Sequence, residues 1–293
     1  MVAVKGCVRD MKVGWLIDGE LFDSYRDDLV AAIRAQGHDV KLVRAPSPPY
    51  HWEDSGCSYR NSFAADRCVV AVGDIGLVSR IESEQRWVPG AFATIDNFYC
   101  SSYFCRYGEF LLNADYLMLP FGEMRRCKDF LFQSVGRDGR IFVRPDSPLK
   151  LFTGQVVAAD SYEKDLEYLG FYEFPESSLV VVSAPQSIDF EWRFVVAEKA
   201  VVAGSQYRAH GKLDIRPDFD VDAKQFAERV AATGDEPDPV WVVDVCKTSS
   251  GDYRLLEIGG FSFCDLYLTD KSAVVDAVSR VAFSRWQWAK VQS

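Results

Sequence analysis

The sequence predicts a chain of two parts, α/β at its start and α+β in the remainder. Three observations carry this. An apolar run, an amphipathic stripe and a second apolar run follow one another within about 35 residues, the length of a βαβ unit with parallel strands. Past the middle, apolar runs come in pairs joined by short polar turns, the pattern of antiparallel hairpins. The C-terminal stretch carries apolar residues at helical spacing.

Residues 12–17 (KVGWLI) form the first buried strand, with 1–10 expected to be a lead ahead of it. Ser24 is expected to cap a helix in which Leu29, Val30 and Ile33 make the apolar stripe and Gly37 ends it. Residues 39–44 (DVKLVR) are the next strand, stopped by Pro46-Ser47-Pro48-Pro49. Residues 68–72 (CVVAV) make a third. Gly73 and Gly76 follow it without the G-x-G-x-x-G spacing of a dinucleotide loop, so they read as a strand-to-helix turn before IGLVSRI. The aromatic stretch 98–113 (FYCSSYFCRYGEFLLN) predicts a helix whose rings pack a core, and 118–120 closes the first region.

The second region opens with strand 140–144 (RIFVR) and the loop DSPLKLFTG, which bears Lys150 and Gly154. Residues 179–182 are an apolar strand. Residues 191–197 and 200–204 flank Glu198-Lys199 as a hairpin. Asp220 caps a helix to about residue 233, with Phe226, Ala227 and Val230 on its apolar side. Residues 240–246 and 252–258 form a second hairpin, and 272–288 a final helix ending in Trp286 and Trp288. The division expected is 1–115 and 116–293.

Composition narrows the function. The 293 residues carry 33 Lys and Arg against 43 Asp and Glu, a formal net charge of −10. An acidic surface lacks the field that holds a nucleic-acid backbone or an anionic membrane, so neither is expected as a partner. No apolar run reaches the roughly 20 residues of a membrane span. The 8 cysteines include no C-x-x-C pair, and Cys68, Cys105 and Cys246 lie in or beside apolar runs, where a thiol packs as a small core residue. With no long apolar region in MVAVKGCVRD, a reducing, cytoplasmic setting is expected. The three histidines lack H-E-x-x-H spacing, which speaks against a zinc hydrolase.

Candidate chemistry sits on the strands. Strand 240–246 is apolar except for Asp244, and its partner carries Glu257 among Leu255, Leu256 and Ile258. If 249–252 is a four-residue loop, Thr248 faces Tyr253 and Asp244 faces Glu257. Paired residues share a face, and two carboxylates there repel unless a cation or a shared proton lies between them. Mg²⁺ with phosphate oxygens suits such a pair. Two acids on a wet face is the other reading, which the apolar flanks oppose. Arg144 ends its strand before Pro145, with Lys150 in the loop beyond; a guanidinium fork and a mobile ammonium are a way to hold a polyphosphate. Glu191 and Arg193 share one strand face, and Arg208 follows in GSQYR. A cross-strand salt bridge and an anionic ligand are both open for them.

The order of these motifs, IFVRPDSPLKLFTG, EWRFVVAEKAVVAGSQYR and WVVDVCKTSSGDYRLLEIGGFSFCDLY, resembles the ATP-grasp superfamily, and most closely a divergent bacterial and phage-associated group. The resemblance implies a βαβ pre-ATP-grasp domain over 1–115 and an ATP-grasp fold with antiparallel sheets over 116–293. Its subdomains, about 116–183 and 184–293, would hold ATP in the cleft between them. It implies that Arg144, where the family usually has Lys, holds the α- and β-phosphates and that Lys150 lies in the phosphate-covering loop. Val181, Val182 and Ser183 are similar to the hinge whose backbone meets adenine, and Glu191 to a nucleotide-site residue. Arg193 and Arg208 resemble the arginines that reach the γ-phosphate or acyl phosphate. Asp244 and Glu257 match the acids that hold Mg²⁺. Gly259 stands where the family has a metal-binding Asn, which Ser262, Asp265 or water would have to replace. The implied activity is an ATP-dependent ligase joining a small-molecule or peptide carboxylate to an amine or thiol through an acyl phosphate. A non-catalytic nucleotide-binding or protein-interaction module on a degenerate fold is the alternative. Ala at Asp244 or Glu257 is expected to abolish Mg-ATP binding and leave the fold intact.

Overall fold

A computed structural model describes residues 11–20, 25–45, 59–149, 151–171, 174–234 and 236–292. Ser24, Lys150, the 1–10 lead and the Pro46–Pro49 breaker lie outside the described residues.

The βαβ start forms as expected. Strands β1 (Gly14–Asp18), β2 (Asp39–Val43), β3 (Cys68–Val72) and β4 (Val88–Gly90) make a parallel sheet in the order β2-β1-β3-β4. Helix α1 (Arg26–Ala35) buries Leu29, Val30 and Ile33, and Tyr25 occupies its cap position. Helix α2 (Ile75–Glu84) starts where Asp74 accepts a 2.7 Å bond from the Leu77 amide, so the turn after β3 is the N-cap of a helix.

The aromatic stretch is helical over a shorter span than the sequence implies. Helix α3 (Cys100–Tyr107) turns Cys100, Tyr103, Phe104 and Tyr107 into the core, a stripe at i, i+3, i+4 and i+7. That stripe corrects the expectation for Cys105, which is exposed on the opposite side, while Cys68 and Cys246 are buried.

Strand β5 (Tyr116–Pro120), helix α4 (Lys128–Ser134), strands β6 (Arg140–Pro145) and β7 (Gln155–Ala158), helix α5 (Tyr162–Gly170) and strand β8 (Leu179–Ser183) follow. Their antiparallel sheet has the order β5-β8-β6-β7. Strand parity divides it into two faces. Leu117, Leu119, Ile141, Val143, Val157, Val180 and Val182 pack on one side with Leu131, Tyr162 and Leu166 of the helices. Tyr116, Met118 and Val181 pack the other way, against Phe104 and Trp192. Arg144 and Ser183 alternate with Val143 and Val182, and so belong to that second face.

The central sheet is also antiparallel, in the order β11-β10-β9-β12-β13. It comprises β9 (Ile188–Ala197), β10 (Ala200–Ala209), β11 (Lys212–Arg216), β12 (Val240–Thr248) and β13 (Tyr253–Gly260). The β9–β10 turn places Glu198 and Lys199 at φ of 50° and 65°, the two positive values that a two-residue type I′ hairpin demands. Gly204 lets the Phe194 ring lie over it, since a Cβ there would fall 2.4 Å from Cδ1. Helix α6 (Val221–Ala232) covers one face with Phe226, Ala227 and Val230 under the Asp220 cap. Helix α7 (Lys271–Gln292) joins the parallel and central sheets in one core of Trp15, Val72, Val195, Val242, Val275 and Val278. Trp15 Nε1 donates to Ser279 Oγ at 3.2 Å within it. Among the described residues no helix is long and apolar enough to cross a membrane.

Asp238 ties the loop after β4 to the start of β12: its Oδ2 accepts from the Thr94 amide at 2.9 Å. Burial lifts its carboxyl from 3.8 to about 7. Between those values the folded state keeps a proton that the unfolded chain has released, so this group's contribution falls as pH rises from about 4 to 7. Asp238→Asn carries no charge to bury. Its Tm is expected to exceed the parent's by about 2–4 °C above pH 7. The difference closes below pH 4, which melting curves across that range check.

Candidate active site

Register decides which side chains meet. Arg193 on β9 pairs with Asp244 on β12, and Asp244 pairs with Glu257 on β13, so one row crosses three adjacent strands. The pairing of the two acids is as the sequence implies; the turn is not. Lys247, not Thr248, faces Tyr253, and the register shifts by one residue between Asp244 and Val245. The skipped residue is Leu256. This bulge restores the acid pair, and it turns the Leu256 carbonyl toward Arg144 Nη1 at 3.5 Å.

Arg193 forks onto Asp244, with Nε to Oδ1 at 2.8 Å and Nη2 to Oδ2 at 2.7 Å. The same Nη2 lies 3.9 Å from Glu257 Oε1. A guanidinium thus stands where the repulsion of two carboxylates requires a cation. The pair is one of hard oxygen donors, and the seated guanidinium demonstrates that it accommodates positive charge, so the residues fit a divalent metal in kind. The two acids differ in access: the Asp244 side chain is 2% exposed and that of Glu257 35%. Gly259, two residues past Glu257, contributes no donor.

Arg144 reaches the row from the other sheet, with Nη2 3.0 Å from Glu257 Oε2. Its footing is set by Asp146, which follows β6 and binds the N-terminus of α3. Asp146 Oδ1 accepts from the Ser101 amide at 2.7 Å and Oδ2 from Ser101 Oγ at 2.9 Å. A carboxylate at a helix N-terminus is favoured by the helix dipole. Helix α3 is thereby fixed beneath Arg144.

Glu191 lies on the same face of β9 as Arg193. Its Oε2 accepts from Tyr207 Oη at 2.7 Å, and its Oε1 is 3.5 Å from Arg208 Nε. Burial pushes the Glu191 carboxyl up. Arg208 pairs with Glu191 across the ladder and is 45% exposed, so the cross-strand salt bridge exists and the guanidinium still meets solvent. Tyr207 stacks on Tyr267 at 5.0 Å between ring centroids and 9° between planes. Both rings border Arg193, at 5.8 and 5.3 Å from its Cζ. Tyr267 holds φ at 45°, a left-handed backbone that a bulky residue rarely adopts.

Arg144, Arg193, Arg208, Glu191, Asp244 and Glu257 therefore form one continuous network. The hinge candidates stand apart from it. Strand β8 lies between β5 and β6, and the pairs Leu117–Val182, Met118–Val181, Val143–Val182 and Arg144–Val181 commit its backbone on both edges. Val182 turns toward α4 and α5. Ser183 closes the strand, and its Oγ is buried without a partner. The chain leaves the ladder at 184–186, immediately beyond. Tyr207 and Tyr267 are site residues that sequence reasoning does not select. The alternation of Tyr207 with Arg208 and the D-L-Y ending of the last motif are the signals that point to them.

Known proteins share this architecture. The profile of an ATP-grasp domain, the second family of its clade, matches residues 124–277, more than half of the chain. Among solved structures, the D-cycloserine synthetase DcsG aligns with a TM-score of 0.62 at 14% identity, over 92% of this chain and 99% of that one. The D-alanine-D-alanine ligase from Coxiella burnetii aligns with a TM-score of 0.61 at 12% identity, over 96% and 98%. The ATP-grasp ligase PsnB, complexed with minimal precursor, Mg and ADP, aligns with a TM-score of 0.54 at 12% identity, over 93% and 98%. At these identities the likeness is one of fold. No curated protein sequence matches the chain.

Proposed function

The chain belongs to the ATP-grasp domain family whose profile it matches, and from that premise we propose that it is an ATP-dependent ligase. It joins a small-molecule or peptide carboxylate to an amine or thiol and releases ADP and phosphate. The observation that carries the reading is the row Arg193–Asp244–Glu257 facing Arg144 from a second antiparallel sheet. Cations and carboxylates interleaved between two sheets suit a polyphosphate and its counter-ion.

The substrate carboxylate attacks the γ-phosphorus, the bond to the bridging oxygen breaks, and an acyl phosphate and ADP result. The amine then adds to the acyl carbon, loses its proton and expels phosphate. Arg144, with Lys150 from its loop, binds the α- and β-phosphates. Arg193 and Arg208 steady charge on the transferring phosphoryl group. Glu191 holds Arg208 in place, and Tyr207 orients Glu191. Adenine lies on the face that carries Val181 and Ser183 and meets the backbone at 184–186, since Val181 and Val182 spend their own amides and carbonyls in the sheet. Asp244 and Glu257 hold Mg²⁺, which when bound screens the phosphate charge and polarises the γ-phosphoryl group. Partners are the two co-substrates, without nucleic acid or membrane, in a reducing cytoplasmic setting that suits the free cysteines.

Gly259 and the fork on Asp244 motivate a second reading, a module that binds nucleotide and does not turn over. Incubation with Mg-ATP and pooled amino acids separates the two. Stoichiometric ADP release that depends on an added carboxylate and amine is the result expected. Nucleotide binding with no turnover across the pool contradicts the ligase.

A further inference from the structure

Arg193 is held from every side. Its fork takes both oxygens of Asp244, Nη1 donates to the Asp265 carbonyl at 3.1 Å, and Tyr207 and Tyr267 border the guanidinium. The side chain is 12% exposed and Asp244 beneath it 2%. A metal ion that is to bind Asp244 must take an oxygen from this fork. It must also shed part of its own hydration, which Mg²⁺ does reluctantly. Opening the fork with nothing in exchange strands a guanidinium beside its partner in a poorly solvated place. The exchange becomes favourable when another planar, doubly accepting anion meets the guanidinium, and a phosphate offers the same two-point grip. Glu257 by itself does not make the difference, because its Oε2 is bound to Arg144 and its Oε1 is the weaker of the contacts to Arg193.

We propose that Arg193 is a resident counter-cation that keeps divalent metal out of the Asp244–Glu257 pair until a phosphate draws the guanidinium away. Metal then enters with the nucleotide and not before it. The proposal rests on the ligase reading for the identity of that phosphate; the exclusion of metal from the free protein does not depend on it. Arg193 acts here as a positioning residue, setting the order in which ligands arrive.

The test is a titration of the nucleotide-free protein with Mn²⁺, followed by the electron paramagnetic resonance signal of the unbound ion. Arg193→Gln is expected to bind Mn²⁺ about tenfold or more tighter than the parent. Adding Asp244→Asn to it removes that gain. Arg193→Gln leaves Asp244 without its partner, so Arg193→Lys is measured beside it. The ammonium keeps the charge and cannot fork, and the change expected is smaller and in the same direction. Equal Mn²⁺ binding by the parent and by either folded variant overturns the proposal. A repeat with ADP present tests the other half, where the parent should take up Mn²⁺ with the nucleotide. Failure of that arm alone counts against the nucleotide reading and leaves the exclusion of free metal standing.

Discussion

Asp244→Ala is expected to destabilise the protein by about 3–5 kcal/mol, the cost of leaving a buried charge without its partner. The residue is 1% exposed in the middle of β12, between Val243 and Val245, both fully buried. Removing it leaves the Arg193 guanidinium facing a void, and the Tyr207 hydroxyl 3.4 Å from an oxygen that is gone. This revises the expectation that Ala at either acid spares the fold. Glu257 is partly solvated, and its pair with Arg144 reaches the surface, so Glu257→Ala should cost about 1 kcal/mol or less. Denaturant midpoints distinguish them. The thermal shift given by Mg-ATP is expected to vanish in Glu257→Ala while its midpoint stays near the parent's. A Mg-ATP shift preserved in Glu257→Ala contradicts the metal assignment.

Arg144→Ala is expected to weaken binding of a non-hydrolysable ATP analogue by about thirtyfold or more, some 2 kcal/mol. The side chain is 18% exposed and spans the gap between the small sheet and the central one. Its loss removes a phosphate ligand and also leaves Glu257 facing the incoming phosphates uncompensated. Arg144→Lys keeps the charge and gives up the two-point grip on Glu257 Oε2 and the Leu256 carbonyl. It should restore part of the affinity. Titration calorimetry on the two variants measures both effects, and unchanged affinity in Arg144→Ala removes Arg144 from the phosphate site.

Much of the architecture is legible because burial writes a period into the chain. CVVAV is a strand buried on both faces and reads as one, and α6 announces itself by Asp220 and the Phe226–Ala227–Val230 stripe. Strands β4, β5 and β7 escape a sequence reading. They are 3–5 residues long, and β5 is only partly buried along its length, so little periodicity accumulates. The acid pair is legible through side-chain parity, and its neighbours less so. The bulge at Leu256 and the one-residue difference in the turn cancel at Asp244, and alternation alone reveals neither. That Arg193, and not a bound ion, stands between the acids is a matter of register across β9, β12 and β13. Pairing between strands some 50 residues apart leaves no local trace. The proposed hinge lies one step beyond the residues the sequence selects, since the end of an apolar strand does not show which of its amides a neighbouring strand will take.

A nucleotide seated between the two antiparallel sheets is the central claim. A crystal structure with Mg²⁺ and a non-hydrolysable ATP analogue tests it most directly. The phosphates are expected against Arg144, adenine at 184–186, Arg193 turned from Asp244 to the γ-phosphate, and the metal on Asp244 and Glu257. A nucleotide bound elsewhere, or phosphates in the cleft with Arg193 still forked on Asp244 and no metal on the acids, would contradict it.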